Sequence, residues 1–437
     1  MNERFERMNV ILVITKMEIQ PVRMKKYRIV NVLICFLLLF LFTLRAYGQE
    51  NKLFKVRTIT AGVTLSSLDD TATIESAIQF LSEADKEFER KGHIVQTLRI
   101  STQPFYQYLN GKTYEEAIPY LIKLDQLVKK SNMILSIGPI MKEDYSGFDL
   151  PEWAVKLINS TETISFSVSI ADKEKGILGN GVHQAASTIV AIAHNTKGGE
   201  GNFRFTASAN CPPGIPFFPA AYHHGSNSFA IGIESPNILT DVFRRGPEDK
   251  VKENLKIELE KILKPVEALS MSLANSKKWR YDGIDTSAAP GLDASIGEAI
   301  EELTGQPFGS ASTLHACAMI TDVLKSVDVK KCGYSGLMLP VIEDKGLAQR
   351  ASEGRFSVQE LLLYSSVSGT GLDVVPLPGE TSITTIENLL IDVAALSLKY
   401  TDKALSARLF LIPGKKAGEM VSFENPNLTP CRVMKME

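Results

Sequence analysis

From residue 54 onward, short runs rich in β-branched residues alternate with longer stretches whose apolar positions recur every three or four residues. That is the pattern of strands separated by helices with one buried face. Val56-Arg57-Thr58-Ile59-Thr60 predicts the first strand. The next segment, capped by Asp69 or Asp70, puts Ile74, Ala77, Ile78, Leu81, Ala84 and Phe88 on one helical face. The same beat predicts strands at 94–100, 134–137 and 164–170, with helices over 114–130 and 150–159. Further strands are expected at 203–208, 228–234, 335–341 and 406–412, and helices at 182–195, 248–274, 312–326 and 383–399. Alternation of this kind predicts an α/β architecture with a largely parallel sheet or barrel. No Gly/Ser-rich or Pro-rich linker and no repeat interrupts it, so residues 54–434 are expected to form one large domain.

Composition narrows the partners. With 437 residues, 44% of them hydrophobic, the chain can bury a core without help from disulfides or metals. Its 48 basic and 50 acidic residues leave a formal charge of -2, so no electrostatic footprint for nucleic acid or an anionic membrane is visible. A small-molecule ligand is the expected partner, and apolar strands with near-neutral charge also suit a homo-oligomer.

The first fifty residues read differently. Met24, Lys25 and Lys26 open a basic segment, Val32 to Leu44 is almost unbroken apolar sequence, and small residues follow at Ala46 and Gly48. That layout predicts a signal peptide over 24–48, an over-extended start over 1–23, and a mature chain beginning near Gln49 that is periplasmic or secreted. The apolar run is shorter than the roughly 20 residues of a spanning helix, which weighs against the alternative of a retained anchor. Four cysteines would remain: Cys211, Cys317, Cys332 and Cys431. An oxidising compartment permits bridges between them, and their spacing matches no zinc motif.

Five segments carry candidate chemistry. Ser368 to Thr381, beginning Ser368-Gly369-Thr370-Gly371-Leu372-Asp373, reads as a turn-rich loop after a helix, in which the glycines let the backbone approach a ligand and Asp373 is an isolated charge. An ordinary helix cap is its plainer reading. Phe205 to His223 reads as a strand ending at Asn210 that enters a proline-rich turn, which places Asn210 and His223 where α/β folds usually contact ligands. A satisfied histidine is the plainer reading of His223, with no partner at ligand spacing. Phe229 to Glu234 is an apolar strand ending on a carboxylate, either a site residue or half of an ion pair. Asp282 to Gly291 reads as a connection between ordered regions. Ser310, in Gly309-Ser310-Ala311-Ser312-Thr313, starts a helix whose free amides suit an anion, though simple N-capping by Ser310 or Ser312 is the plainer reading. No Gly-x-Ser-x-Gly elbow, Walker loop or dinucleotide fingerprint is present.

Arg57-Thr58-Ile59-Thr60, the Phe205-to-His223 block, Gly333-Tyr334-Ser335-Gly336-Leu337-Met338-Leu339-Pro340-Val341, Glu343-Asp344 and Gly369-Thr370-Gly371-Leu372-Asp373 together resemble the uncharacterised protein family UPF0210, also called domain of unknown function 711, over about residues 54–434. The resemblance implies the fold of pyruvate formate-lyase and the large ribonucleotide reductase subunit, a ten-stranded α/β barrel threaded by a loop. It also implies a cysteine before Gly-Thr-Gly-Leu-Asp, where this chain has Ser368. A hydroxyl cannot carry a thiyl radical, and Arg432-Val433-Met434-Lys435 lacks the glycyl-radical signature, so radical chemistry is not expected.

The resulting expectation is a non-radical enzyme with a small polar ligand in the barrel mouth. Asp373, Glu234 and His223 are its acid/base candidates, and Asn210, Ser368, Gly369, Thr370, Gly371 and Ser310 its ligand-binding groups. Two carboxylates in an apolar cavity can split their pKa values for proton transfer, or hold a divalent metal. The alternatives are an exported solute-binding or scaffolding protein that changes no bond, and an inactive remnant of the radical-enzyme fold.

Overall fold

The computed structural model describes residues 53–142, 147–246, 248–399 and 403–436. The expected signal peptide lies outside them. The strands are β1 (Lys55–Val63), β2 (Leu98–Thr102), β3 (Met133–Pro139), β4 (Ile164–Asp172), β5 (Gly176–Ile177), β6 (Phe205–Ala209), β7 (Ser228–Glu234), β8 (Arg280–Ala289), β9 (Gly371–Pro378) and β10 (Leu405–Ile412). They form one ten-stranded sheet in the order β8-β7-β1-β2-β3-β4-β6-β10-β9, with β5 paired to β4. The chain is thus the mixed α/β protein its alternation predicts. β1, β2, β3, β4 and β6 run parallel to one another. β7 and β8 are parallel to each other, as are β9 and β10, and both pairs join the first group through antiparallel seams, β7 on β1 and β10 on β6.

Local signals fix the helices. Asp70, not Asp69, caps Thr71–Arg90 by accepting from the Thr73 amide at 3.1 Å, and Ile74, Ala77, Leu81, Ala84 and Phe88 are buried on its inner face. Thr113 with Glu116, and Ser357 with Glu360, make reciprocal capping boxes at the starts of Tyr114–Lys130 and Val358–Ser368. Helices cover one sheet face, where the apolar residues of the strands pack.

The other face is also buried, yet polar. Thr58, Thr60, Arg99, Ser101, Ser136, Ser165, Ser167, Thr206, Ser208 and Arg408 are all under 6% exposed. What covers much of this face is the proline-rich segment after β6. The Thr60 hydroxyl donates to the Pro216 carbonyl at 2.7 Å, Ser136 to Ala221 at 2.8 Å, and the His223 amide to Thr102 at 2.8 Å. Asn210, with a φ of 52°, turns the chain into this segment.

Three expectations about elements are corrected. Asp282 to Gly291 is not a connection: its first eight residues complete the buried strand β8, whose Asp, Gly, Thr and Ser content masks its strand character. Most of the expected loop at 368–381 is strand: only Gly369 and Thr370 separate the helix from β9, which runs from Gly371 to Pro378 and contains Asp373. The expected strand at 335–341 has no continuous ladder. Residues 331–340 instead make isolated parallel bridges, Ile284 with Lys331 and Ala288 with Leu337 on the β8 side and Pro340 with Asp373 on the β9 side. Gly333 and Ser335, at φ 66° and 45°, break the extension a ladder needs.

Candidate functional site

On the polar face, strands from opposite sides of the sheet enclose a cavity of about 60 Å³ lined by Arg57, Arg99, Thr206, Phe217, Phe218, Tyr334, Met338, Glu343, Thr370, Asp373, Ser406 and Arg408, among others. That volume admits a few waters or one small anionic group.

Three guanidiniums meet here. Arg408 is 5% exposed and bridges two carboxylates, its Nε donating to Asp373 Oδ1 at 2.7 Å and its Nη2 to Glu343 Oε2 at 2.5 Å. Arg57 lies more loosely, 3.8 Å from both Glu343 and Glu234, with a 3.3 Å bond to Gln96. Arg99 is 4% exposed, and no carboxylate among the described residues lies within ion-pair distance of it. Its Nε donates to Thr97 Oγ1 at 3.2 Å, and its guanidinium sits 4.4 Å from the centre of the Phe218 ring. Burial and the neighbouring Arg57 and Arg408 cations push the Arg99 pKa well down, against the opposing pull of Glu343. Burial also raises the Asp373 carboxyl, with Glu343 adding to the rise and Arg408 opposing it. Arg408 itself is lowered by burial but held above its ordinary value by Asp373 and Glu343.

Two of these side chains are aimed by irregularities in the strands. Between Ala407–Leu372 and Leu409–Val375 the register slips, so Arg408 alone opposes Asp373 and Val374. Val374 takes a φ of 41°, a conformation that a β-branched residue rarely adopts. Between Val56–Ile233 and Thr58–Gly232 the register slips again, leaving Arg57 as the extra residue of β1. Bulges re-aim side chains at the cost of ladder bonds and strain, and they cluster beside functional sites.

Of the residues expected from sequence, Asp373 and Thr370 line this cavity. Glu234 stands one arginine away, 2% exposed and held by Lys55 at 2.9 Å and by Gln96 at 2.8 Å. Ser368, Gly369 and Gly371 shape the backbone. The Ser368 carbonyl accepts from the Leu337 amide at 3.1 Å, Gly369 caps its helix in the left-handed region, and a Cβ on Gly371 would meet the Ser406 carbonyl at 2.0 Å. Asn210 donates to Ser397 at 2.9 Å, and Ser310 lies in the turn before the helix Thr313–Ser326; neither lines the cavity. His223 sits elsewhere too, its Nε2 2.9 Å from the Gly225 carbonyl, with burial lowering its pKa. Ser228 is 3.3 Å from His223 and donates to Asp282 at 2.6 Å. Arg57, Arg99, Glu343, Tyr334 and Arg408 were absent from the expected set. The signal for Arg99 and Arg408 was an arginine inside an otherwise apolar strand, as in Leu98-Arg99-Ile100 and Ala407-Arg408-Leu409.

Among the described residues no group of three or more His, Cys, Asp or Glu side chains is arranged to hold a metal ion, and no helix is long and apolar enough to cross a membrane. The four described cysteines are free. Burial pushes Cys211 and Cys317 up to about 12 and Cys431 up to about 11, and raises Cys332 well above the usual range. Iodoacetamide at mildly alkaline pH should therefore label the native thiols more than about tenfold more slowly than the same thiols in guanidinium. Equal rates would refute this burial.

The profile of a family described as "Uncharacterised ACR (DUF711)" matches residues 49–425, and the chain belongs to that family. It is 26% identical over 410 residues to a UPF0210 protein of Carboxydothermus hydrogenoformans, covering 87% of this chain and 90% of the relative. It is 29% identical over 382 residues to one of Pyrobaculum islandicum, covering 83% of each. A UPF0210 protein of Methanocaldococcus jannaschii is 23% identical over 416 residues, covering 87% and 90%.

Proposed function

We propose that the protein is a non-radical enzyme that binds a small carboxylate- or phosphate-bearing molecule in the arginine-lined cavity and acts on it by proton transfer, with Asp373 and Glu343 as the acid/base pair. The observation that carries this reading is Arg99, a buried guanidinium facing a cavity without a carboxylate of its own. A buried cation costs several kcal/mol unless it is paired, and an anionic ligand is the missing partner. The cavity lining carries three arginines against two carboxylates, which leaves a net positive space. Arg408 lies on both carboxylates and can steady whichever carries charge.

We also infer that residues 331–340 act as a tenth strand that closes the nine successive strands from β8 to β9 into a barrel, β5 lying outside the ring; their bridges to β8 on one side and β9 on the other support this. Export of the mature chain rests on the apolar run at 32–44, and the family match beginning at residue 49 is consistent with it.

Sulfate tests the binding step because it does not titrate between pH 5 and 8. Asp373 has a raised pKa, so acidification protonates it, removes one negative charge and loosens its hold on Arg408. Sulfate affinity should therefore rise as the pH falls through the raised Asp373 pKa. In Asp373→Asn the rise should vanish. A screen of small organic acids and phosphomonoesters for turnover should find a substrate for which Asp373→Asn lowers kcat at least about tenfold while binding stays within a few-fold. A pH trend unchanged in the variant would overturn the role of Asp373. Binding without turnover of any compound would make the protein a binding protein.

A further inference from the structure

A second, larger space of about 760 Å³ lies beyond the Tyr334 side chain, between the base of the proline-rich segment and the start of β8. Its cations are Arg280, Lys325 and Lys331, with His224 beside them, and Asp282 is the one carboxylate in its lining. Arg280 is engaged with Asp282 at 2.7 Å. Lys331 donates only to the carbonyls of Val327 and Val329, at 2.8 and 3.5 Å, and Lys325 is exposed at the end of its helix. Neither lysine meets a carboxylate among the described residues. Burial, with Lys325 adding to it, pushes Lys403 down to about 8.

Tyr334 lines both this cleft and the arginine cavity, so the two spaces are one side chain apart. Its backbone is fixed. Asp285, buried in β8, accepts from the Tyr334 amide at 2.8 Å and the Ser335 amide at 2.9 Å, and a Cβ on Gly333 would sit 2.0 Å from the same carboxylate. The phenol lies 3.1 Å from Ser406 Oγ and 3.7 Å from Cys211 Sγ and forms the partition between the two spaces.

We propose that the cleft is a second anion subsite for the same ligand, which is therefore a small molecule carrying two anionic groups joined by a short spacer that passes Tyr334. This rests on the arginine cavity holding the first anionic group. The cavity is too small for more than that group, and the cleft supplies the room and unpaired cations for the other. One further charge-assisted contact at a half-open site corresponds to about tenfold in affinity.

The test compares acetate with the linear dicarboxylates from malonate to pimelate by calorimetry on the whole mature chain, in wild type, Lys325→Gln/Lys331→Gln and Arg99→Met. Wild type should show one preferred length that binds with single-site stoichiometry, about tenfold more tightly than acetate. The lysine variant should lose that preference and keep acetate binding, and Lys325→Glu alone, a change at an exposed side chain, should weaken the preferred dicarboxylate. The absence of a preferred length, or a preference that survives in the lysine variants, overturns the second subsite. Acetate binding unchanged in Arg99→Met overturns the cavity reading instead, so the two failures are distinguishable.

Discussion

Arg99→Met should abolish sulfate binding and at the same time raise the stability of the ligand-free protein. The Arg99 guanidinium is 4% exposed, and its one cation-π partner is Phe218. That contact offsets about 0.5–2 kcal/mol, less than the several kcal/mol that taking a cation out of water costs. Methionine fills similar space beside the ring and carries no charge, so the variant should gain about 1–2 kcal/mol, read as a higher urea midpoint. The same change removes a forked donor from the anion, a loss of about 3 kcal/mol or roughly 100-fold in sulfate affinity. Arg99→Lys keeps the charge without the planar fork and should fall between the two in binding. The opposed signs are the decisive feature. A purely structural arginine would lose stability on substitution, so a variant destabilised by more than about 1 kcal/mol, or one that binds sulfate normally, would remove Arg99 from the site.

The arrangement of elements was legible because period-2 and period-3.6 patterns are local properties of the chain. The helix at 71–90 declares itself through Ile74, Ala77, Leu81, Ala84 and Phe88, and its cap through Asp70. β8 escaped because Asp282, Gly283, Asp285, Thr286 and Ser287 look like a turn; only the fold shows that Asp285 is needed there to hold the Tyr334 loop from inside. The site was legible in part for the same reason. Asp373 stood out as a lone charge, but its context read as a loop, since a Gly-Thr-Gly run favours positive φ and nothing local reveals that β10 pairs with it. Its true partner, Arg408, lies 35 residues away in sequence. Arg57 and Arg99 belong to neighbouring strands that only the sheet brings together, and the bulges that aim Arg57 and Asp373 arise from pairing, not from composition. The buried hydroxyls of the strands were a readable clue of another kind. Thr58, Thr60, Ser101, Ser136, Thr206 and Ser208 recur at alternate strand positions, as expected for a sheet whose second face is covered and yet lined for polar contact.

Asp344→Ala should be the most destabilising single substitution near the site, at about 4 kcal/mol. Asp344 is wholly buried and accepts five hydrogen bonds. Three come from Ser295 Oγ at 2.5 Å and the amides of Ile296 at 2.5 Å and Gly297 at 3.4 Å; the others come from the amides of Gly346 at 2.9 Å and Leu347 at 3.0 Å. One carboxylate thus caps two helices, Ile296–Thr304 and Lys345–Ser352, whose positive ends face each other. The approach is close enough to require glycine on both sides: a Cβ on Gly297 would stand 2.9 Å from the Leu347 amide, and one on Gly346 would stand 2.5 Å from Ser295 Oγ. Alanine at 344 leaves those donors without their carboxylate acceptor and two helix dipoles uncompensated. Asparagine keeps one acceptor oxygen but presents an amide to the remaining donors, and should cost about half as much. The effect should reach the cavity as well. The Val341 amide donates to the Asp373 carbonyl at 3.1 Å, and Glu343, one residue before the cap, reaches Arg408. Loosening the cap therefore frees the strand-like segment that sets Glu343 opposite Asp373, and Asp344→Asn should bind sulfate more weakly than wild type even under conditions where it is fully folded. Urea unfolding followed by fluorescence, with sulfate titrations of the folded variants, measures both effects. A loss of less than about 1 kcal/mol in Asp344→Ala would mean that the two helix ends are held by other contacts.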